Sequence, residues 1–421
     1  MGVFDLLFGK NKKESQPSQT IQQREKSIHI CLVSDQPIPN ITTVLQFKPE
    51  IVVLLTSEKM KQKSKYLEDF LKKIGFKVDI FNQLNAYDIE DVMSRIKEIV
   101  NKYNGFDISL NMTGGTKISS LGAFLTINDL KYNTYYVDSE NNNIILITPE
   151  RAVKTLDIDI KISVEDYLYL YGFKTKSVSN KEEIEKGIHK REKLSEYLLQ
   201  KISLVKYINT SLHEYNTVRS NGQFKIVNAK DNKEVPLPIR CKELERIPVD
   251  EEFLENLKLL NNTSFDTKTN SLIVGDVDDF TYLKGGWFEE WVYIVAKSLN
   301  PDDVRLRVEG EWLTQSYKNP KNEFDVIMTK GNRIYYLSCK TSNADRKESD
   351  SDEGIGKRYI FEIDSLSDMA MGEYCKKILV SFRDINDPQI RERARMSRIE
   401  IIDYEDIFNL RERLQELMLN R

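Results

Sequence analysis

The sequence is short of the residues that most often carry acid–base and zinc chemistry. Its three histidines, His29, His189 and His213, form no ligand pair, so a histidine-driven mechanism is poorly supported. Cys31, Cys241, Cys339 and Cys375 are widely scattered, with no CxxC and no histidine at ligand spacing. That argues against zinc and for a reduced, cytoplasmic protein. No apolar run approaches the ~18 residues needed to cross a bilayer, and no secretory signal is read at the start. The opening "MGVFDLLFGKNKK" reads as a frayed or packed terminus rather than a membrane-touching turn, so no membrane partner is expected. Positive charge is not in excess either: 62 Lys and Arg against 66 Asp and Glu leave a net charge of −4. A protein that coats nucleic acid non-specifically is thereby disfavoured, while a local basic groove stays open.

What is present suits two or three soluble domains. The chain has 421 residues, of which 40% are hydrophobic and 30% charged. Residues 1–26 read as a flexible lead-in. From 27 to 160, apolar runs such as "SIHICLVS", "IVVLLTS", "KVDIF" and "FDISLNM" alternate with helical periodicity. This predicts an α/β, Rossmann-like unit built on a mostly parallel sheet. Residues 161–283 begin as a polar helical connector and continue as short mixed elements, a small β-rich or winged insertion at most. Residues 284–421 predict a second α/β unit, opened by the helix "GGWFEEWVYIVAKSLN" and carrying a hairpin about Gly331.

The corner Thr113-Gly114-Gly115-Thr116-Lys117 joins a strand to a helix. Free backbone N–H groups and the positive end of the helix dipole gather at such a helix start, and glycines let an anion come close. Thr113, Thr116 and Lys117 add hydroxyl and ammonium donors. The P-loop pattern fails, because Ile118 follows the lysine, and no G-x-G-x-x-G is present. The corner is therefore expected to bind phosphate or a nucleotide edge without a Walker-type hydrolysis site; the alternative is a turn needed only for tight packing. Ser34, Asp35, Gln36, Thr56 and Ser57 are expected at the same sheet edge.

In "NEFDVIMTKGNRIYYLSCKT", Glu323 and Asp325 share one strand face, as do Ser338 and Lys340 on the return strand. Folding about Gly331 predicts Asp325 opposite Ser338 and Glu323 opposite Lys340, with helical Glu289 approaching from beside the sheet. Two carboxylates and a lysine suit metal-assisted phosphodiester hydrolysis with Mg²⁺ or Mn²⁺; the alternative is a solvated hairpin with cross-strand ion pairs. Trp287 and Trp291 read as a core stripe. The stretch "IRERARMSR" reads either as a backbone-tracking helix or as a soluble face.

Taken together, "LNMTGGTK" after an apolar strand resembles the CARF (CRISPR-associated Rossmann fold) domain. "GGWFEEWV", "NEFDV" and "SCKT" resemble the PD-(D/E)xK nuclease domain found behind CARF domains in ancillary effectors of type III CRISPR systems. The resemblance implies a homodimer whose composite pocket binds a cyclic oligoadenylate, cyclic tetra-adenylate before cyclic hexa-adenylate, and so switches on cleavage of DNA or RNA. It implies ligand contacts from Ser34, Asp35, Gln36 and from Thr113 to Lys117. It also implies a cleavage site of Glu289, Asp325 and Lys340, with Glu323 just before the aspartate, and metal ligation by Glu289, Asp325 and the Cys339 backbone carbonyl. One position departs from the pattern: Ser338 stands where the family carries a glutamate, leaving one fewer metal-binding charge. A sensor or transcriptional regulator that binds the nucleotide without cutting is the alternative, as is a restriction-type nuclease whose N-terminal unit only dimerises.

Overall fold

The computed structural model describes residues 26–176, 181–220, 223–241, 249–313, 320–345 and 354–419. All but the last residue of the expected N-terminal lead-in, and residues 346–353 of the charged stretch "SNADRKESDSDEG", lie outside the described residues.

The first unit comprises β1 (Ser27–Leu32), α1 (Ile38–Phe47), β2 (Ile51–Leu55), α2 (Lys61–Lys73), β3 (Lys77–Phe81), α3 (Ile89–Lys102), β4 (Asp107–Asn111), α4 (Lys117–Asp129), β5 (Asn133–Asp138), β6 (Asn143–Ile147) and β7 (Val153–Asp157). They form one seven-stranded sheet in the order β3-β2-β1-β4-β5-β6-β7. The first five strands are parallel; β6 and β7 return antiparallel. The central strands are apolar on both faces because helices cover both faces. Asp88 caps α3, accepting the N–H groups of Glu90 and Asp91 at 3.0 and 3.3 Å. His29 sits inside this sheet between the hydroxyls of Ser109 and Thr43, at 2.8 and 2.9 Å, and burial pushes its pKa down to about 3. It is a neutral core residue.

The chain continues through α5 (Val164–Tyr171), β8 (Phe173–Thr175), α6 (Lys181–Leu199), α7 (Ile202–Leu212), β9 (Tyr215–Ser220), β10 (Gln223–Asn228), β11 (Ile239–Arg240), α8 (Glu251–Leu257), β12 (Thr263–Asp266), β13 (Ser271–Val274) and α9 (Val277–Thr281). The insertion is a β9–β10 hairpin and a small β11-β13-β12 sheet. After it come α10 (Trp287–Ser298), β14 (Asp303–Trp312), β15 (Lys321–Lys330), β16 (Arg333–Lys340), α11 (Ile355–Met371), β17 (Lys376–Ser381), α12 (Pro388–Met396), β18 (Ile399–Ile402) and α13 (Leu410–Leu419). The second sheet runs β18-β17-β16-β15-β14-β8, antiparallel from β8 to β16 and parallel from β16 to β18.

Two features tie the units together. The connector itself contributes β8 to the edge of the second sheet. One apolar cluster also runs from Val52, Leu54 and Phe70, through Tyr167 and Leu168 of α5, to Phe324, Tyr336 and Ile360. On the opposite face of the second sheet, Trp287 and Phe288 are buried against Phe382, and Trp291 stacks on Phe288. Burying each such ring contributes roughly 1.5–3 kcal/mol, and the tryptophans are core, as their spacing predicts. No described helix is long and apolar enough to cross a membrane.

Candidate functional site

Strand order reverses between β1 and β4, so the loops leaving these two neighbours flank the crevice of the first sheet. Gly114 lies against β1: a Cβ on it would stand 2.1 Å from the Leu32 carbonyl oxygen. Gly115 takes a left-handed φ of 80°. Two of the hydroxyls expected to face a ligand are occupied by the fold. Thr113 donates to Asn111 Oδ1 at 2.6 Å and accepts the Val137 N–H at 2.7 Å. Thr116 caps α4, accepting the Ser119 N–H at 3.1 Å. Asn111 is itself fully buried and donates to the Pro39 carbonyl at 2.9 Å. Lys117, at the first position of α4, is exposed.

Across the crevice, Ser34 accepts the Gln36 N–H at 3.3 Å. Asp35 is exposed and Ser57 half-buried, while Thr56 is buried with no hydrogen-bond partner for its hydroxyl. Gln36 is engaged by the connector: its Oε1 accepts the Tyr171 hydroxyl at 2.7 Å. Asp35, Gln36, Lys63, Tyr171, Trp312 and Gly372 line a cavity of about 480 Å³ between the two sheets. A Cβ on Gly372, at the end of α11, would stand 2.4 Å from the Tyr171 hydroxyl and 2.5 Å from Gln36 Oε1. The crevice loop, the connector and α11 thus meet at one point, an arrangement with no signal in the local sequence.

In the second sheet, the backbone pairing of β15 with β16 stops at Val326 and Leu337. One residue further, the Asp325 carboxylate takes the place of the ladder. Its Oδ2 accepts the Cys339 N–H at 2.7 Å and the Ser338 hydroxyl at 3.3 Å. Lys340 Nζ lies 3.9 Å from Asp325 Oδ2, 4.0 Å from Glu362 Oε2 and over the Tyr359 ring at 5.2 Å. Asp325 and Ser338 therefore face each other as the hairpin predicts. Glu323 does not reach Lys340. Because the strands part beyond Val326, Glu323 stays with β14, paired with Glu309, and shares a cavity of about 220 Å³ with Glu289, Arg307 and Lys284. Glu289 Oε2 accepts from Arg307 Nε at 2.6 Å. Arg307, Tyr359 and Glu362 were not singled out in the sequence; they come from other strands and helices, and only folding gathers them.

The electrostatics are those of crowded acids. Burial, partly offset by Lys340 and reinforced by Glu289, pushes the Asp325 carboxyl up to about 6. Burial and then the Glu289 charge push Glu323 up to about 7. Burial pulls Lys340 down, but Asp325 and Glu362 outweigh it, so its amine is held above its ordinary value and stays a cation. Among the described residues no three Asp, Glu, His or Cys side chains are already gathered for a metal ion. The donor set is nevertheless one of hard oxygens, and the mutual repulsion of Glu289, Glu323 and Asp325 is what a divalent cation would relieve. These residues fit Mg²⁺ or Mn²⁺.

A pH dependence follows. Between their unfolded values near 4 and folded values of about 6 and 7, Asp325 and Glu323 hold protons in the native state that the unfolded chain has released. The metal-free protein therefore loses stability as pH rises through that window. A divalent cation held by these carboxylates would displace those protons, so any stabilisation by Mn²⁺ is expected to be small at pH 5.5 and large at pH 8. Differential scanning fluorimetry with and without Mn²⁺ checks this; a shift independent of pH would contradict it.

Two of the four arginines in the basic stretch at α12 are held in ion pairs and a third is packed on a ring. Arg391 pairs with Asp403, Arg395 with Glu392, and Arg393 lies over Phe361. This favours the soluble-face reading.

Two family models match the sequence, the Card1 CARF domain over residues 28–167 and the Card1-like endonuclease domain over residues 276–420. No curated protein matches it. Protein VC1899 from Vibrio cholerae superposes with a TM-score of 0.71 at 17% identity, covering 93% of this chain and 98% of that one. Can2 from Sulfobacillus thermosulfidooxidans, in complex with cyclic tetra-adenylate, gives 0.67 at 18% identity, covering 91% and 96%. A type III CRISPR defence DNA nuclease activated by cyclic oligoadenylate gives 0.52 at 18% identity, covering 90% of this chain and 48% of that one. At such identities the likeness is one of fold. The two family matches together span well over half of the chain, which belongs to the family joining a Card1-type CARF domain to a Card1-like endonuclease domain.

Proposed function

We propose that this protein is a metal-dependent endonuclease of type III CRISPR antiviral defence, activated by a cyclic oligoadenylate and cleaving DNA or RNA. In this reading, residues 27–160 sense the ligand, 161–283 connect, and 284–421 cut. The observation that carries it is the union in one chain of a glycine corner at the β1/β4 crevice with a splayed hairpin holding Asp325 beside Lys340. Cyclic tetra-adenylate is the first activator to test, because Can2, bound to that ring, matches nearly the whole chain.

Glu289, Asp325 and the Cys339 backbone carbonyl are the groups that would hold Mg²⁺ or Mn²⁺, whose chemistry there is activation of water and neutralisation of phosphate charge. Asp325 is fixed in place by the Cys339 N–H. Lys340, kept protonated by Asp325 and Glu362, acts as a cation on the phosphate rather than as a base. Ser338 supplies a hydrogen bond to Asp325 where the family carries a charge. A homodimer is supported by α4, which leaves Ile118, Leu121 and Leu125 exposed at 40, 48 and 40% in one stripe beside the crevice. The contact of Gln36 with Tyr171 and Gly372 supplies a physical route from the crevice to α11, which carries Tyr359 and Glu362 against Lys340.

The test is cleavage of labelled single-stranded DNA, supercoiled plasmid and single-stranded RNA in Mn²⁺ or Mg²⁺, with and without cyclic tri-, tetra- and hexa-adenylate. Cutting that depends on one ring supports the reading. Tight binding of a ring without cutting favours the second reading, a sensor disabled at Ser338; cutting indifferent to every ring would overturn the gating. Lys117→Ala removes a cation from the corner and is expected to raise the half-activating ligand concentration about tenfold or more, the worth of a charge-assisted contact. An unmoved activation curve would take Lys117 out of the ligand site.

A further inference from the structure

Arg307 lies on β14 directly across from Asp325, since Leu306 pairs with Val326 and Val308 with Phe324. Among the described residues it is the only non-glycine residue inside a strand with a left-handed backbone, φ 49°. That conformation costs free energy for any residue with a Cβ, and such strain concentrates where function requires it. Its guanidinium is also incompletely used. Nε holds Glu289, but Nη2 is buried with no hydrogen-bond partner. Nη2 lies 3.8 Å from Glu290 Oε1, and Glu290 is already gripped by Arg191 through two bonds of 3.1 and 2.7 Å. Gly286 makes room for the guanidinium itself: a Cβ there would stand 2.2 Å from Nη2.

The guanidinium therefore has a fixed orientation, with Nε on Glu289 and Nη2 enclosed beside Glu290, and its side chain, 29% exposed, forms part of the wall of the cavity that also holds Glu289 and Glu323. The other cation lining that cavity, Lys284, already donates to the Tyr215 carbonyl and to Asn216 Oδ1. We propose that Arg307 contacts the substrate, its guanidinium binding a phosphate oxygen of the nucleic-acid strand next to the bond cut at Asp325. A planar guanidinium with free N–H groups matches a phosphate, and Glu289 serves to aim it. This inference rests on the nuclease reading above. The competing role, mere neutralisation of Glu289 and Glu290, predicts no change in how substrate binding responds to salt.

The experiment uses the full chain carrying Asp325→Asn to prevent cutting, with cyclic tetra-adenylate and Mn²⁺ present. Binding of labelled single-stranded DNA and RNA is followed by anisotropy across a salt series. Adding Arg307→Gln is expected to weaken binding about tenfold at low salt and to lower the slope of log affinity against log salt by about 0.7. Arg307→Lys should keep the slope and recover part of the affinity. An unchanged slope in a folded Arg307→Gln protein overturns the proposal. Should that variant fail to fold, Arg307→Lys in the otherwise wild-type chain is expected to raise KM with the Mn²⁺ thermal shift intact, and an unchanged KM overturns it. If the parent protein neither binds nor cuts any strand, the nuclease reading fails first, and this one with it.

Discussion

Asp325→Ala is expected to lower cleavage by about a thousandfold or more while leaving cyclic tetra-adenylate binding unchanged. The side chain does three things in one place: it closes the hairpin by accepting the Cys339 N–H, it faces Lys340, and it supplies a carboxylate where phosphate charge must be managed. Asp325→Asn separates these roles, because an amide oxygen still accepts from Cys339 while the charge is gone. The two variants should be equally inactive, with Asp325→Asn the more stable, since alanine leaves a buried N–H without a partner. Single-turnover cleavage and thermal melting measure both effects. An asparagine variant that cuts at the wild-type rate would remove Asp325 from the chemistry.

The second large effect is expected at Gly114. A methyl group there would stand 2.1 Å from the Leu32 carbonyl oxygen, a backbone atom of the central strand β1 that has no room to retreat. Gly114→Ala must therefore push the corner out of the crevice, moving Lys117 and the start of α4 with it. Overpacking of this kind costs roughly 1–3 kcal/mol of stability. The functional effect should be larger: activator binding is expected to fall at least a hundredfold, while Mn²⁺ still stabilises the second unit. Isothermal titration with cyclic tetra-adenylate, alongside the Mn²⁺ thermal shift, reads the two separately. Near-normal ring affinity would mean that the corner serves packing alone.

Much of this arrangement was legible residue by residue. Alternating apolar strands and amphipathic helices announced the parallel sheet, and two glycines at a strand-to-helix corner announced the crevice, because both are local consequences of backbone geometry and periodicity. Helix α1 was harder to see: "IPNITTVLQF" opens on prolines and buries its polar Asn40, Thr42 and Thr43 along with its apolar residues, so it lacks the charged, solvent-facing stripe that marks a surface helix. Spacing two apart put Asp325 opposite Ser338 correctly, since a hairpin's register follows from its turn.

The chain's own order therefore determined the two α/β units, the corner and the face on which Asp325 and Ser338 sit. Tertiary structure alone decided which charges meet. Glu323 was drawn to Glu289 and Arg307 because β15 follows β14 where β16 departs, and Lys340 found Glu362 on a helix that begins fifteen residues later in the chain. Thr113 and Thr116, which read as ligand donors, were claimed by Asn111, Val137 and Ser119. Gln36 and Tyr171 met across 135 positions of sequence. Periodicity is a property of neighbours along the chain, whereas a hydrogen bond or an ion pair is a property of distance in space, and only packing sets that distance.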